Sequence, residues 1–246
     1  ADVIDIRQVP PSLTKRADAI GIIIGIEKYE YYPSAPFAAN DALVVKDYFK
    51  NVLGISKVLD FTNGQINGNF FENKFNPVFG DLQRAVIKDQ TEVFVFYSGH
   101  GIPSKDGEKV FLLPYDGRIE AIEKQGYDLN VLFQNLEALK AKSVTVFMDA
   151  CFSGISRPTE STEANNLVAS KGARIKPKIA EPWLTDPNFQ VFTSSGYDET
   201  SLGYDGSETG LFTYYLCAGL QGKADVNSDR NITAGELSDY ITTNVK

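Results

Sequence analysis

The chain has 246 residues, 43% of them hydrophobic, which suits one large domain with a real core. Charged residues make up 23% and the net charge is −8, arguing against a phosphate-neutralising surface and so against a nucleic-acid binder. Two cysteines are too few for a disulfide framework, one histidine beside them gives no recognisable zinc spacing, and the longest apolar run, AIGIIIGI at 19–26, is too short to span a bilayer. The sequence starts at Ala1 without a methionine, which reads as a trimmed chain or as an exported protein after leader removal; composition and the lack of a long apolar run predict a soluble protein, cytoplasmic or exported, with an N-terminal extension over 1–18 and one domain over 19–246.

In chain order, AIGIIIGI predicts a first strand, and ANDALVVKDYFKNVL (39–53), with apolar residues three and four apart, predicts a helix. Strands follow at KVLDF (57–61) and EVFVFYS (92–98). DLNVLFQNLEALKAK (128–142) is a second helix with Asp128 as its N-cap, and SVTVFMD (143–149) and FQVFTSS (189–195) are further strands. Near-continuous hydrophobic strands alternating with helices imply an α/β fold, a mostly parallel sheet with helices on both faces. Functional residues in such sheets gather beyond the carboxyl ends of the strands. Two stretches break the pattern. Residues 156–188, rich in Ser, Pro, Asn and Lys, read as a long exposed loop, and 225–237, DVNSDRNITAGEL, read as a polar turn.

The only histidine, His100, follows VFVFYSG, and Cys151 follows VTVFMDA, so both fall at the carboxyl ends of strands on one edge of the sheet. Taken singly, the histidine reads as a satisfied core or surface residue and the cysteine as a small apolar one. Together they meet the minimum for a thiol nucleophile with an imidazole partner, and the small residues around them, SGHG and DACFSG, permit close approach of a substrate backbone. Cys151 lies 51 positions after His100, which fits the interval of about 50 in caspases, although Asp-Ala-Cys replaces their Gln-Ala-Cys.

These motifs, YSGHG and DACFSG, with IGIEKY (24–29), AAND (38–41) and GLFTYYLCAGLQGKAD (210–225), resemble the caspase-like cysteine peptidases, more closely their bacterial and metacaspase-type members than animal caspases. The resemblance runs from about Ala19 to near the C-terminus and implies a caspase-like fold. It implies that Cys151 is the nucleophile of a thiol protease and His100 its general base and acid, with the amides of Gly101 and Cys151 forming an oxyanion hole. No third triad member is evident. Strand periodicity sets Asp149 on the same side as Cys151, and the metacaspase pattern implies that Asp149, Asp41 and Ser98 line a pocket for Arg or Lys before the cut. That pattern often has a cysteine where Ala38 stands here. Asp41 also reads as a helix cap and Asp149 as a hydrogen-bonded structural acid.

DVNSDRNITAGE matches an EF-hand-like calcium loop at Asp225, Asn227, Asp229 and Glu236, with the Asn231 carbonyl as a further ligand and Arg230 in place of the turn glycine. The same residues read equally as an Asn/Asp-rich turn followed by a capping box, Thr233 with Glu236. Two function classes therefore stand side by side: an endopeptidase cutting proteins or peptides after Arg or Lys, and a catalytically quiet caspase-fold interaction module. Because the pocket implied by the resemblance takes Arg or Lys and such peptidases are often processed between their two halves, the loop after Cys151 with Lys171, Arg174, Lys176 and Lys178 is an expected site of autoprocessing; it reads otherwise as a tolerant surface segment that other proteases nick.

Overall fold

The computed structural model describes residues 4–12, 14–152, 178–194, 203–204 and 206–245. The chain begins with β1 (Arg16–Gly25), α1 (Ala38–Asn51) and β2 (Ile55–Thr62). Two short helices, α2 (Phe70–Phe75) and α3 (Asp81–Ala85), lead into β3 (Glu92–Pro103). Then come β4 (Val110–Leu112), α4 (Ile122–Gln125), β5 (Tyr127–Asp128), α5 (Leu129–Ala138) and β6 (Ser143–Cys151). After β7 (Phe189–Thr193) lie the two-residue strands β8 (Gly203–Tyr204) and β9 (Thr209–Gly210), then α6 (Leu211–Ala218) and α7 (Ala234–Asn244).

Five strands pair in parallel in the order β2-β1-β3-β6-β7, and β4 and β5 add an antiparallel flap beyond the end of β1. Both faces are covered, which is why the strands read as continuous apolar runs. Ile22 and Ile24 of β1 and Val93 and Val95 of β3 join Phe71, Phe133 and Leu136 on one side. Ile23, Phe94, Phe96 and Phe147 join Val45 and Phe49 of α1, Phe212 and Leu216 of α6 and Leu237 of α7 on the other. At Gly25 a Cβ would lie 2.4 Å from the Ala38 carbonyl oxygen, so glycine lets α1 start hard against the end of β1. That contact places Asp41, in the first turn of α1, beside the carboxyl ends of β1 and β3.

Two local expectations change. β3 does not stop at Ser98 but continues through SGHG to Pro103, because β6 stays paired to His100 on one side and β4 takes over from Gly101 on the other. The loop read at 156–188 lies outside the described residues as far as 177. From 178 on it is anchored: Pro182–Leu184 forms a 3-10 turn, Pro182 is buried, and Trp183 packs edge-on against Phe133 with ring centroids 5.7 Å apart. The composition signal missed this because one aromatic anchor outweighs many polar neighbours. The segment read as an extension is docked as well. Ile6 is a core residue whose carbonyl accepts from the Tyr48 hydroxyl at 2.8 Å, and Gln221 donates to the carbonyls of Asp5 and Gln8, each at 3.1 Å. No helix among the described residues is long and apolar enough to cross a membrane.

Candidate active site

The sequence-predicted residues converge where the sheet order reverses. β3 and β6 run in register as far as the end of β6, with Ser98 opposite Asp149 and His100 opposite Cys151. In a parallel ladder such pairs are adjacent rows, so the two motifs some fifty residues apart in sequence become neighbours through strand pairing alone.

His100 sits at a change of neighbour. β1 accompanies β3 as far as the Gly25–Ser98 pair, and the amide of Ile26 still donates to the Ser98 carbonyl at 2.9 Å. β4 begins at the Gly101–Leu112 pair. Between these points the His100 N–H has no strand beside it and donates instead to the Tyr29 hydroxyl at 2.8 Å. Its carbonyl accepts from the Leu113 amide at 3.1 Å and from the Tyr97 hydroxyl at 2.8 Å. The imidazole is 2% exposed and lies between Tyr29 and Tyr32, with ring centroids at 4.9 and 4.8 Å. Nε2 is 2.9 Å from the carbonyl oxygen of Pro33. A carbonyl only accepts, so Nε2 carries a proton and Nδ1 is the nitrogen left to exchange one. Because the Leu113 amide bonds the His100 carbonyl, Gly101 and Leu112 are a non-hydrogen-bonded pair, and the Gly101 amide points away from β4 towards the side of β6.

The preceding row is acidic and fully buried. Asp41 and Asp149 are both 0% exposed, as is Ser98. Asp41 Oδ2 accepts from the Ser98 hydroxyl at 2.7 Å, and Oδ1 from the Gly210 amide at 2.8 Å. Asp149 Oδ2 accepts from the Thr213 amide at 3.1 Å and from its hydroxyl at 2.7 Å. Gly210 is the N-cap of α6 and has no side chain to cap with. The two carboxylates, one from α1 and one from β6, supply the acceptors that this helix start lacks, and the positive end of the helix dipole offsets part of their charge. Asp41 does not cap its own helix. The N-cap there is Phe37, in the left-handed region at φ 70°, with no side-chain cap. The structural reading of Asp149 and the pocket reading both fit this geometry, since both require the carboxylate at the end of β6.

Cys217, the second cysteine, is enclosed in the core on α6, where burial pushes its thiol well above the usual range and the Asp41 charge adds to the effect. A thiol held protonated in this way is no nucleophile. The sequence reading missed Tyr29, Pro33, Tyr97 and Thr213. The tyrosine-rich stretch 29–32 after the first strand was the available signal for the first of these.

The turn before α7 is organised by its own hydrogen bonds. Asp225 accepts from the amides of Asp229 at 3.2 Å and Arg230 at 2.9 Å, and Asp229 accepts from the Asn231 amide at 2.7 Å. Asn227 Oδ1 also accepts from the Asp229 amide at 2.9 Å. Arg230 takes the left-handed conformation, φ 67°, in place of glycine. Glu236 Oε2 accepts from the amide and hydroxyl of Thr233 at 2.9 and 2.8 Å, completing a capping box. These oxygens are of the type calcium takes, but no three His, Cys, Asp or Glu residues among those described converge as a metal cluster. A calcium ion in this loop would share the Glu236 carboxylate with Thr233.

The family model for the caspase domain matches residues 18–243. Among solved structures, the fold is similar to that of caspase-1 from Spodoptera frugiperda, with a TM-score of 0.59 and 16% identity over 99% of this chain and 84% of that one. No curated protein matches the sequence. At that identity the solved structure speaks for the fold alone, while the family match takes in both strand ends and the helix that closes them: the chain belongs to the caspase-domain family, whose members are cysteine-type peptidases acting on proteins.

Proposed function

We propose that this protein is a cysteine endopeptidase that cleaves after Arg or Lys, with Cys151 as nucleophile and His100 as general base and acid. The observation that carries the reading is the His100–Cys151 register at paired strand ends, one row beyond two buried carboxylates. In this reading the Cys151 thiol gives its proton to Nδ1 of His100, whose Nε2–H is held by the Pro33 carbonyl. The thiolate attacks the scissile carbonyl carbon, and the displaced C=O electron pair becomes an oxyanion received by the amides of Gly101 and Cys151. Collapse of this intermediate breaks the C–N bond, and His100 returns the proton to the leaving amine. Water then attacks the thioester, passing one proton to His100, and the thiol departs with that proton as the acid product leaves.

Asp41 and Asp149 in one buried row favour a cation and disfavour an acidic side chain before the cut. A carboxylate has about four acceptor positions, so bonds to α6 and to a guanidinium are compatible on one side chain. Self-cleavage belongs to the same reading, at Lys171, Arg174 or Lys176, which lie outside the described residues. Lys178 is a poorer site because its amide is bonded to Glu108 at 2.8 Å and its carbonyl to Asn130 at 2.9 Å.

A thiol-reactive peptide probe carrying arginine tests the proposal. Covalent labelling of Cys151, absent in Cys151→Ala, is expected. No labelling with or without calcium or prior processing would instead establish the quiet interaction module, and a dominant Asp or Asn in a cleaved peptide library would overturn the basic pocket.

A further inference from the structure

We infer that Tyr29 is a positioning residue for the catalytic imidazole, its phenol oxygen standing in for the strand that His100 lacks; this rests on the peptidase reading above. His100 is where β3 has left β1 and not yet met β4, and a buried amide at such a gap must find another acceptor or destabilise the segment. The Tyr29 hydroxyl is that acceptor, at 2.8 Å, while its ring lies tilted against the imidazole at 4.9 Å. The backbone and the ring of His100 are therefore referenced to one side chain, which comes from the loop that also supplies Pro33.

Neighbouring groups fix Tyr29 in turn. Its phenol oxygen and that of Tyr97, which donates to the His100 carbonyl, both lie against Gly99, so the two phenols serve the two polar backbone groups of His100 from one place. Burial, with Tyr29 alongside, pushes the Tyr97 phenol well up, which keeps this hydroxyl a donor. Gly99 makes room for the pair, because a Cβ there would lie 2.7 Å from the Tyr29 oxygen and 2.9 Å from that of Tyr97. The carbonyl of His100 has a second donor in Leu113, whereas the phenol of Tyr29 answers for the amide. Loss of the Tyr29 oxygen thus strands the amide and frees the imidazole to drift, and displacement of a catalytic group by about 1 Å costs on the order of 100-fold.

The test is Tyr29→Phe in the full chain, which keeps the ring and removes the oxygen. With an arginine peptide substrate, kcat should fall by about 10- to 100-fold with KM nearly constant. The pH midpoint for alkylation of Cys151 by iodoacetamide should move up, because a displaced imidazole no longer stabilises the thiolate. That second measurement needs no turnover, and buried Cys217 does not contribute to it. An unchanged kcat with an unmoved alkylation midpoint overturns the inference, as does a loss confined to KM. A wild-type protein that alkylates at Cys151 but never cleaves defeats the peptidase reading, and the two alkylation profiles still decide the role of Tyr29. If Tyr29→Phe does not fold, fluorinated tyrosines at position 29, which weaken the oxygen as an acceptor, should give a graded loss of kcat and a graded rise of the midpoint. No gradient in either would overturn the inference.

Discussion

Asp41 and Asp149 at the strand ends and Asp225 and Asp229 in the turn before α7 are the same side chain in opposite settings. The first two are removed from water and held by donors from distant parts of the chain, Gly210 and Thr213. The second two lie at the surface and accept from amides within five residues of themselves. A buried carboxylate without fixed donors is costly, so its partners form part of the fold, whereas the exposed turn is a local arrangement that water can replace. Loss of function is therefore expected at one end of the sheet and only modest loss of stability at the other.

The largest effects belong to the pair in the next row. Cys151→Ala and His100→Ala should each abolish peptide cleavage, and the double variant should be no worse than either, because the two groups act as a unit. Cys217→Ala should keep its activity; substantial turnover by Cys151→Ala would reassign the nucleophile. Next, Asp149→Ala and Asp41→Ala should each lower kcat/KM for arginine and lysine peptides by the equivalent of about 2–5 kcal/mol. Asp149→Asn should lose as much activity while keeping the hydroxyl bond from Thr213, which separates charge from capping in a thermal melt.

A third variant isolates the scaffold. Thr213→Val removes one donor from a buried carboxylate and should cost about 1–3 kcal/mol in denaturant unfolding. A change within error would show that the amide alone suffices.

The exposed turn should respond least. Thr233→Ala should cost about 1 kcal/mol through the lost cap. Thr233 also holds the Glu236 carboxyl below its ordinary value of 4.5, so this contribution is present above that pH and disappears as the pH falls through the lower folded value. The cap reading expects the same melting curve with and without millimolar calcium. A calcium-dependent rise in Tm that Asp225→Ala erases would establish a metal site there and sharpen the contrast between the two regions.

Strand and helix identities were legible because apolar periodicity reports burial directly. The sequence indicated that 143–149 is a strand and that 128–142 begins with a cap at Asp128, whose side chain does accept from the Asn130 amide at 2.9 Å. The placement of His100, Cys151, Asp41 and Asp149 at one end of one sheet followed from strand ends together with the family resemblance. The extension of β3 through SGHG was not legible, since glycine and serine carry no strand signal and the pairing comes from β4 and β6. Nor were Pro33 and Tyr29: a backbone carbonyl has no sequence signature, and a tyrosine after a strand looks like any other aromatic until the missing neighbour of His100 is seen.

The bonds from Asp149 to Thr213 and from Asp41 to Gly210 join positions 64 and 169 residues apart. Closing such separations is entropically slow, and long-range contacts of this kind form late in folding. The acidic row thus matures only after α6 docks, when all five parallel strands have already been synthesised. A chain whose strands have paired but whose α6 has not docked lacks the donors that hold Asp41 and Asp149, so the acidic row is the last part of this end of the sheet to be organised.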